Sequence, residues 1–254
     1  MYIDTHCHLV DEKFTDLTQT VKEYTEQKVS VAINMGCCLS SSESGKKLAE
    51  AFESIYFAVG FHPSDISLFT QNDLQPLSAY CEHKKCLAIG EIGLDFYWPG
   101  YDKAQQIEGF ISQIELANQQ NLPICVHMRD ATQDTLQVLK NHKANKQGVI
   151  HCYAGSVETA KILLDLGYYI SFGGTLTFKN ANKLLDVAKY VPIDRVLTET
   201  DSPYLAPHPY RGSLNTPKNI PLVVQRLAEL KGVEHIELAK IVMQNAKSLF
   251  YKLP

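Results

Sequence analysis

Short runs of apolar residues alternate with longer amphipathic stretches along the whole chain. The runs are Tyr2–Thr5, Val29–Met35, Tyr56–Phe61, Leu87–Ile92, Ile124–His127, Gly148–His151, Tyr168–Phe172 and Val196–Thr200. Each has the length and the nearly unbroken hydrophobicity of a parallel strand covered on both faces. The stretches between them predict helices. Asp102–Gln120 is the clearest, with Ile107, Phe110, Ile111, Ile114 and Ala117 at helical spacing. Asp130 and Gln133 read as a capping box that opens a helix over Ala131–His142. Pro217–Leu230 and Glu234–Phe250 predict two closing helices.

Strands alternating with helices imply right-handed βαβ units. Eight such units in one chain suit an α/β protein of the closed (β/α)8, or TIM-barrel, type. An open doubly wound sheet has the same periodicity, so the position of the reactive residues has to separate the two. No low-complexity linker interrupts the pattern, and 1–254 reads as one domain. The longest irregular piece is Ser202–Thr216, and long loops in compact domains usually serve function.

Composition narrows the classes. With 45% hydrophobic and 20% charged residues the chain is of the globular kind. No run approaches the roughly 18 apolar residues of a membrane span. The first residues lack the basic start and apolar core of a signal peptide, so a cytoplasmic protein is expected, with no membrane role. Seven cysteines, an odd number without a CxxC pair, read as reduced thiols. A net charge of −4 argues against a broad basic surface for duplex DNA, but not against a nucleic acid handled in a local, metal-charged pocket.

Six potential metal ligands fall at or just beyond predicted strand ends. His6 and His8 follow the first strand, Glu91 ends the fourth, His127 the fifth and His151 the sixth, and Asp201 follows the eighth. In a barrel those ends form one face, where active sites lie. In extended backbone His6 and His8 point to the same side while Cys7 points away. Six ligands exceed what one tetrahedral catalytic ion takes, and suit two ions about 3.5–4 Å apart. The expected partition places His6, His8, Glu91 and Asp201 around one ion and Glu91, His127 and His151 around the other, with Glu91 bridging. Such ions lower the pKa of bound water and supply hydroxide near neutral pH. Four imidazoles suit Zn, Mn, Co or Ni better than Mg.

At these residues the chain resembles a known family. Asp4-Thr5-His6-Cys7-His8, Gly60-Phe61-His62-Pro63, Gly90-Glu91-Ile92-Gly93-Leu94-Asp95, His127-Met128-Arg129-Asp130-Ala131, His151-Cys152-Tyr153-Ala154-Gly155 and Glu199-Thr200-Asp201-Ser202-Pro203-Tyr204-Leu205 resemble the TatD family of metal-dependent hydrolases. The likeness runs in order from residue 2 to about 217 and extends to Asn245-Ala246. It implies an amidohydrolase-like barrel, divalent metals, and an activity among deoxyribonucleases with 3′–5′ exonuclease action. It assigns the same six residues as metal positions. One departure stands out: the family's Arg-Gly-Lys-x-Asn-x-Pro loop reads Arg211-Gly212-Ser213-Leu214-Asn215-Thr216-Pro217 here, without the lysine.

Around the six lie supporting candidates. Arg129 and Arg211 suit a phosphate or a salt bridge; His62 suits substrate contact or packing. Glu199 either orients a liganding histidine or pairs with a buried base. Tyr97, Trp98 and Tyr153 suit base stacking or rim packing. The expected function is a two-metal phosphodiesterase acting on single-stranded ends of DNA or an oligonucleotide, with Glu91 and Asp201 as catalytic carboxylates and no obligate protein partner. The alternatives are hydrolysis of a small amide, ester or phosphoester, and a non-catalytic metal-binding module.

Overall fold

The computed structural model describes residues 1–254. Eight strands, β1 (Tyr2–Cys7), β2 (Val29–Asn34), β3 (Ile55–Val59), β4 (Cys86–Asp95), β5 (Ile124–Arg129), β6 (Gly148–Ile150), β7 (Tyr169–Phe172) and β8 (Val196–Thr198), follow one another around a single sheet. Every neighbouring pair is parallel. The ring closes between the ends of β1 and β8. A parallel bridge joins Cys7 and Ser202 there, the His8 N–H donates to the Ser202 carbonyl at 2.7 Å, and the Asp201 N–H donates to the His6 carbonyl at 3.0 Å. The open doubly wound alternative is thereby excluded. One continuous hydrophobic core runs from Ile3 to Leu253.

Nine helices surround the ring: α1 (Leu17–Glu26), α2 (Leu39–Ala51), α3 (Leu74–Cys81), α4 (Lys103–Gln120), α5 (Thr132–Asn141), α6 (Val157–Asp165), α7 (Asn182–Tyr190), α8 (Ile220–Lys231) and α9 (His235–Leu249). None is long and apolar enough to cross a membrane. Asp102 caps α4, accepting from the N–H groups of Ala104 and Gln105 at 2.8 and 3.3 Å. The capping box expected at Asp130 does not form. Asp130 itself adopts φ 50°, and α5 starts at Thr132 without a side-chain cap. The left-handed turn takes the Asp130 backbone out of the β geometry that an N-cap needs.

Three strands run further than their apolar runs suggest. His6 lies inside β1 rather than after it, β4 continues four residues beyond Glu91 to Asp95, all of them buried, and β5 continues two residues beyond His127 to Arg129. The apolar criterion stopped at polar side chains that nonetheless sit in paired backbone. Between Ile89 and Ile92 of β4 the partner β5 advances only from Ile124 to Val126, a bulge with Glu91 inside it. A bulge re-aims side chains. Just past it, Gly93 sits at φ +141°, where a Cβ would lie 2.1 Å from the His127 carbonyl oxygen. Only glycine lets β4 approach β5 so closely.

α4 secures these strand ends from outside. Gln106 accepts from the Asp95 N–H at 2.9 Å and donates to the Asp95 carbonyl at 2.9 Å. Gln113 does the same for Phe61, at 2.7 and 3.2 Å. Both glutamines are fully buried, so each bond satisfies a backbone group that water cannot reach. Replacing Gln113 with Leu strands two such groups at a cost of about 1–3 kcal/mol each. Thermal unfolding of Gln113→Leu should therefore show a Tm about 5–15 °C below wild type. A shift below about 2 °C would contradict this account of how α4 holds β3.

Candidate metal centre

The alternation of β1 places both His6 and His8 on one side, with the Cys7 thiol turned away to donate to the Ile33 carbonyl at 3.3 Å. The backbone bonds closing the barrel bring Asp201 beside them. Asp201 holds φ 54°, a left-handed turn uncommon for a non-glycine residue and frequent at functional sites. Glu91 reaches the same place from its bulge. His6 Nε2 lies 3.2 Å from His8 Nε2, 3.2 Å from Glu91 Oε2 and 3.7 Å from Asp201 Oδ1. His8 Nε2 lies 3.4 Å from both carboxylate oxygens. His6, His8 and Asp201 thus form a group of donors close enough together to hold one cation, with Glu91 Oε2 beside the two imidazoles.

The other oxygen of Glu91 faces a second set. Oε1 is 2.7 Å from His127 Nδ1 and 2.8 Å from His151 Nε2, and those two nitrogens are 3.2 Å apart. One carboxylate therefore addresses two groups of imidazoles. The rings of His6 and His151 stack at 3.8 Å, so the two sets abut. The second triangle is more compact than the first, and it is held by imidazole–carboxylate contacts. Three donors leave one side for a further ligand.

Outer carboxylates hold the histidines from behind. His127 turns its remaining nitrogen, Nε2, to Asp95 Oδ2 at 3.1 Å, and His151 Nδ1 lies 3.4 Å from Glu199 Oε1. Glu199 also accepts the Cys152 N–H at 2.5 Å. Carboxylate–histidine pairs of this kind set tautomer and ring orientation in metal sites. Asp4, fully buried beneath the site, accepts from the Thr200 N–H at 2.9 Å, the Thr200 hydroxyl at 2.5 Å and the His6 N–H at 3.3 Å. It ties β1 to the β8 end.

Burial and neighbouring charges pull the site's ionisable groups in opposite directions. Burial opposes ionisation of Glu91, but the imidazoles of His151, His62 and His6 and the bond from His127 outweigh it and hold the carboxyl well below the usual range. Burial likewise opposes ionisation of Asp201, which His8 and the neighbouring imidazoles hold low. Burial lowers His6, and His151 lowers it further. His151 moves the opposite way: burial is outweighed by Glu91 and Glu199. Burial pushes Asp4 up to about 7 against its hydrogen bonds. Ionised carboxylates crowded by imidazoles whose nitrogens converge form a donor set that fits divalent cations, which bind deprotonated ligands.

The remaining candidates divide. His62 belongs to the site. Its Nε2 is 3.5 Å from Glu91 Oε1, its ring meets His127 edge-on, and Nδ1 accepts the Ser64 N–H at 3.0 Å. Burial pushes it down to about 3, so the ring is neutral and carries its proton on Nε2. Arg129 lies on the rim without any ion pair, its guanidinium 3.8 Å from the Tyr97 ring centre. Arg211 stacks on Phe178 at 4.3 Å and makes no hydrogen bond or ion pair with the imidazoles. Tyr153 is not a stacking residue: it is buried in the core, its hydroxyl donating to the Ser156 carbonyl at 2.6 Å. Tyr97 and Trp98 are about half exposed.

Several supporting residues have no separate signal in the sequence. Asp95 and Asp4 fall in the motif segments, yet only the fold shows whom they hold. Asn215, buried in the loop after β8, donates to the carbonyls of Thr200 and Tyr204 at 2.8 and 2.7 Å and so fixes the turn that carries Asp201. That role survives the missing lysine two residues earlier, since Ser213 and Leu214 are exposed.

Comparison with known proteins identifies the family. The family model of TatD related DNase matches residues 3–251. The chain is 41% identical over 252 residues to the uncharacterized metal-dependent hydrolase YabD of Bacillus subtilis, covering 98% of this chain and 99% of that protein. It is 38% identical over 257 residues to the similarly described YcfH of Escherichia coli, covering 98% and 95%. The crystal structure of the TatD homologue YJJV from Escherichia coli superposes with a TM-score of 0.94 at 30% identity, over 100% of this chain and 98% of that one. The chain belongs to the TatD family of metal-dependent hydrolases.

Proposed function

We propose that the protein is a deoxyribonuclease that hydrolyses phosphodiester bonds at single-stranded 3′ ends with the help of two divalent cations. The observation that carries this reading is the division of one buried carboxylate, Glu91, between two imidazole sets at 2.7–3.4 Å. A shared carboxylate between paired cations suits in-line displacement at phosphorus. His6, His8, Glu91 and Asp201 would hold one cation, and Glu91, His127 and His151 the other. When bound, the cations supply an activated water near neutral pH and neutralise charge on the phosphoryl group.

The chain's own residues provide the rest. Asp201 presents Oδ1 to His6 and His8, while Oδ2 has no hydrogen-bond partner. Held ionised, that oxygen can take the proton of the attacking water. His62 offers its Nε2 proton to a non-bridging phosphoryl oxygen, because Nδ1 is committed to Ser64. Arg129, free of carboxylates, can bind a flanking phosphate through its planar fork. The family's description as a DNase supports a nucleic-acid substrate.

Two experiments test the reading. Protein stripped with chelator and titrated with Mn²⁺ or Zn²⁺ to 100 times its Kd should gain about 2.7 kcal/mol of stability. That gain appears as a Tm rise of roughly 5–10 °C, absent in the double variant His6→Ala/His127→Ala. In the second, metal-loaded protein should release label from 3′-labelled single-stranded DNA. Asp201→Asn should lower kcat about 10³-fold, and Glu91→Gln should act at least as severely. DNA left intact with Zn, Mn, Mg, Co and Ni alike, alongside turnover of small esters, amides or phosphoesters, would replace the nuclease with a small-molecule hydrolase.

A further inference from the structure

The rim of the barrel mouth carries a recurrent pairing that the metal chemistry does not use. Arg129 lies over Tyr97 at 3.8 Å, Lys13 over Tyr204 at 4.2 Å, Arg211 over Phe178 at 4.3 Å and Lys103 over Phe96 at 4.3 Å. Arg129 ends β5, and the other members sit on segments that follow β1, β4, β7 and β8. Such pairs also occur at the opposite end of the barrel, where Lys85, Lys146 and Arg195 lie over Tyr56, Tyr251 and Tyr169 ahead of β4, β6 and β8, so the pairing matters here for its place around the mouth. Cations and aromatic rings side by side along a mouth are a combination that single-stranded nucleic acid can use. The cations track phosphates and the rings stack on bases, without reading sequence.

The Tyr97–Trp98 pair is the best built of these. Asp95, whose carboxylate contacts His127, also accepts the Tyr97 N–H at 3.0 Å, and the Phe96 N–H donates to the Arg129 carbonyl at 2.9 Å. The aromatic segment is thus bonded to the strand ends that carry the metal-facing histidine. Tyr97 and Trp98 stand at 87° with centroids 4.9 Å apart, each about half exposed. These two half-exposed rings, two and three residues past a carboxylate of the site, offer faces on which a base can stack.

We propose that Tyr97 and Trp98, with Arg129, form a stacking platform for the nucleotide beside the scissile linkage, and that the other rim pairs lead the rest of a single strand away from the mouth. The proposal rests on the nuclease reading and deepens it. A duplex keeps its bases stacked on each other and cannot use the platform, so the rim selects single-stranded ends.

The chain has one tryptophan, Trp98, so its emission reports the platform directly. Metal-loaded protein titrated with a short, cleavage-resistant phosphorothioate oligothymidylate should show saturable quenching. Inorganic phosphate and a blunt duplex should leave the emission unchanged. Tyr97→Ala should raise KM for single-stranded DNA about tenfold or more, with kcat within twofold, and Tyr97→Phe should restore the wild-type KM. Cleavage of single strands with no change in Trp98 emission, or with the same KM in Tyr97→Ala, would overturn the platform and leave the nuclease standing. Equal quenching by duplex would also overturn it. Loss of both cleavage and quenching would remove the two proposals together.

Discussion

The site depends on one carboxylate being delivered to the middle of a ring of imidazoles. Glu91 of β4 carries that carboxylate, from within a register shift of the strand. The bulge between Ile89 and Ile92 changes its direction, and glycine at position 93 lets β4 lie close enough to β5 for His127 to meet it. A buried carboxylate is costly unless it is compensated. Here His127 and His151 on one oxygen and His6 and His8 on the other supply the compensation. Glu91 and the imidazoles thus favour each other's charged forms, which makes the centre a unit rather than a set of independent side chains.

Around that unit the fold works by fixing strand ends. β1 and β8 are locked by the backbone bonds of His6, His8, Asp201 and Ser202 and by Asp4 on Thr200. β3 and β4 are locked by Gln113 and Gln106 of α4, and the turn after β8 by Asn215. Asp4, Gln106, Gln113 and Asn215 are buried side chains that each bond backbone groups at a strand end or turn. Such ties leave little freedom to the donor atoms, and preorganised donors are what a metal centre needs to hold its geometry.

Most of this architecture is legible in the sequence because parallel strands covered on both faces are nearly pure apolar runs, and the barrel order simply follows the chain. The six converging residues are legible for a related reason: in this fold, strand ends are a place, so position along the chain becomes position in space. What remained hidden depends on orientation. Nothing in the local pattern says that Asp95 belongs to a strand four residues longer than its apolar run, or that Gln106 and Gln113 face inward on a helix whose exposed face also carries glutamines. The Asp130 capping box has the right letters but the wrong backbone, since φ 50° decides against it. Tyr153 has the right neighbourhood but packs inward. Local chemistry is readable from composition and spacing; the direction in which a side chain leaves the backbone waits on bulges and left-handed turns.

Glu91 lies between two sets of imidazoles, each of which could hold a cation. Anomalous diffraction from crystals of the protein grown with Zn²⁺ or Mn²⁺ tests this directly. Two peaks are predicted about 3.5–4 Å apart, one among His6, His8 and Asp201, the other beside His127 and His151, with Glu91 between them. Peaks away from these side chains, or a single ion that leaves Glu91 unshared, would contradict it.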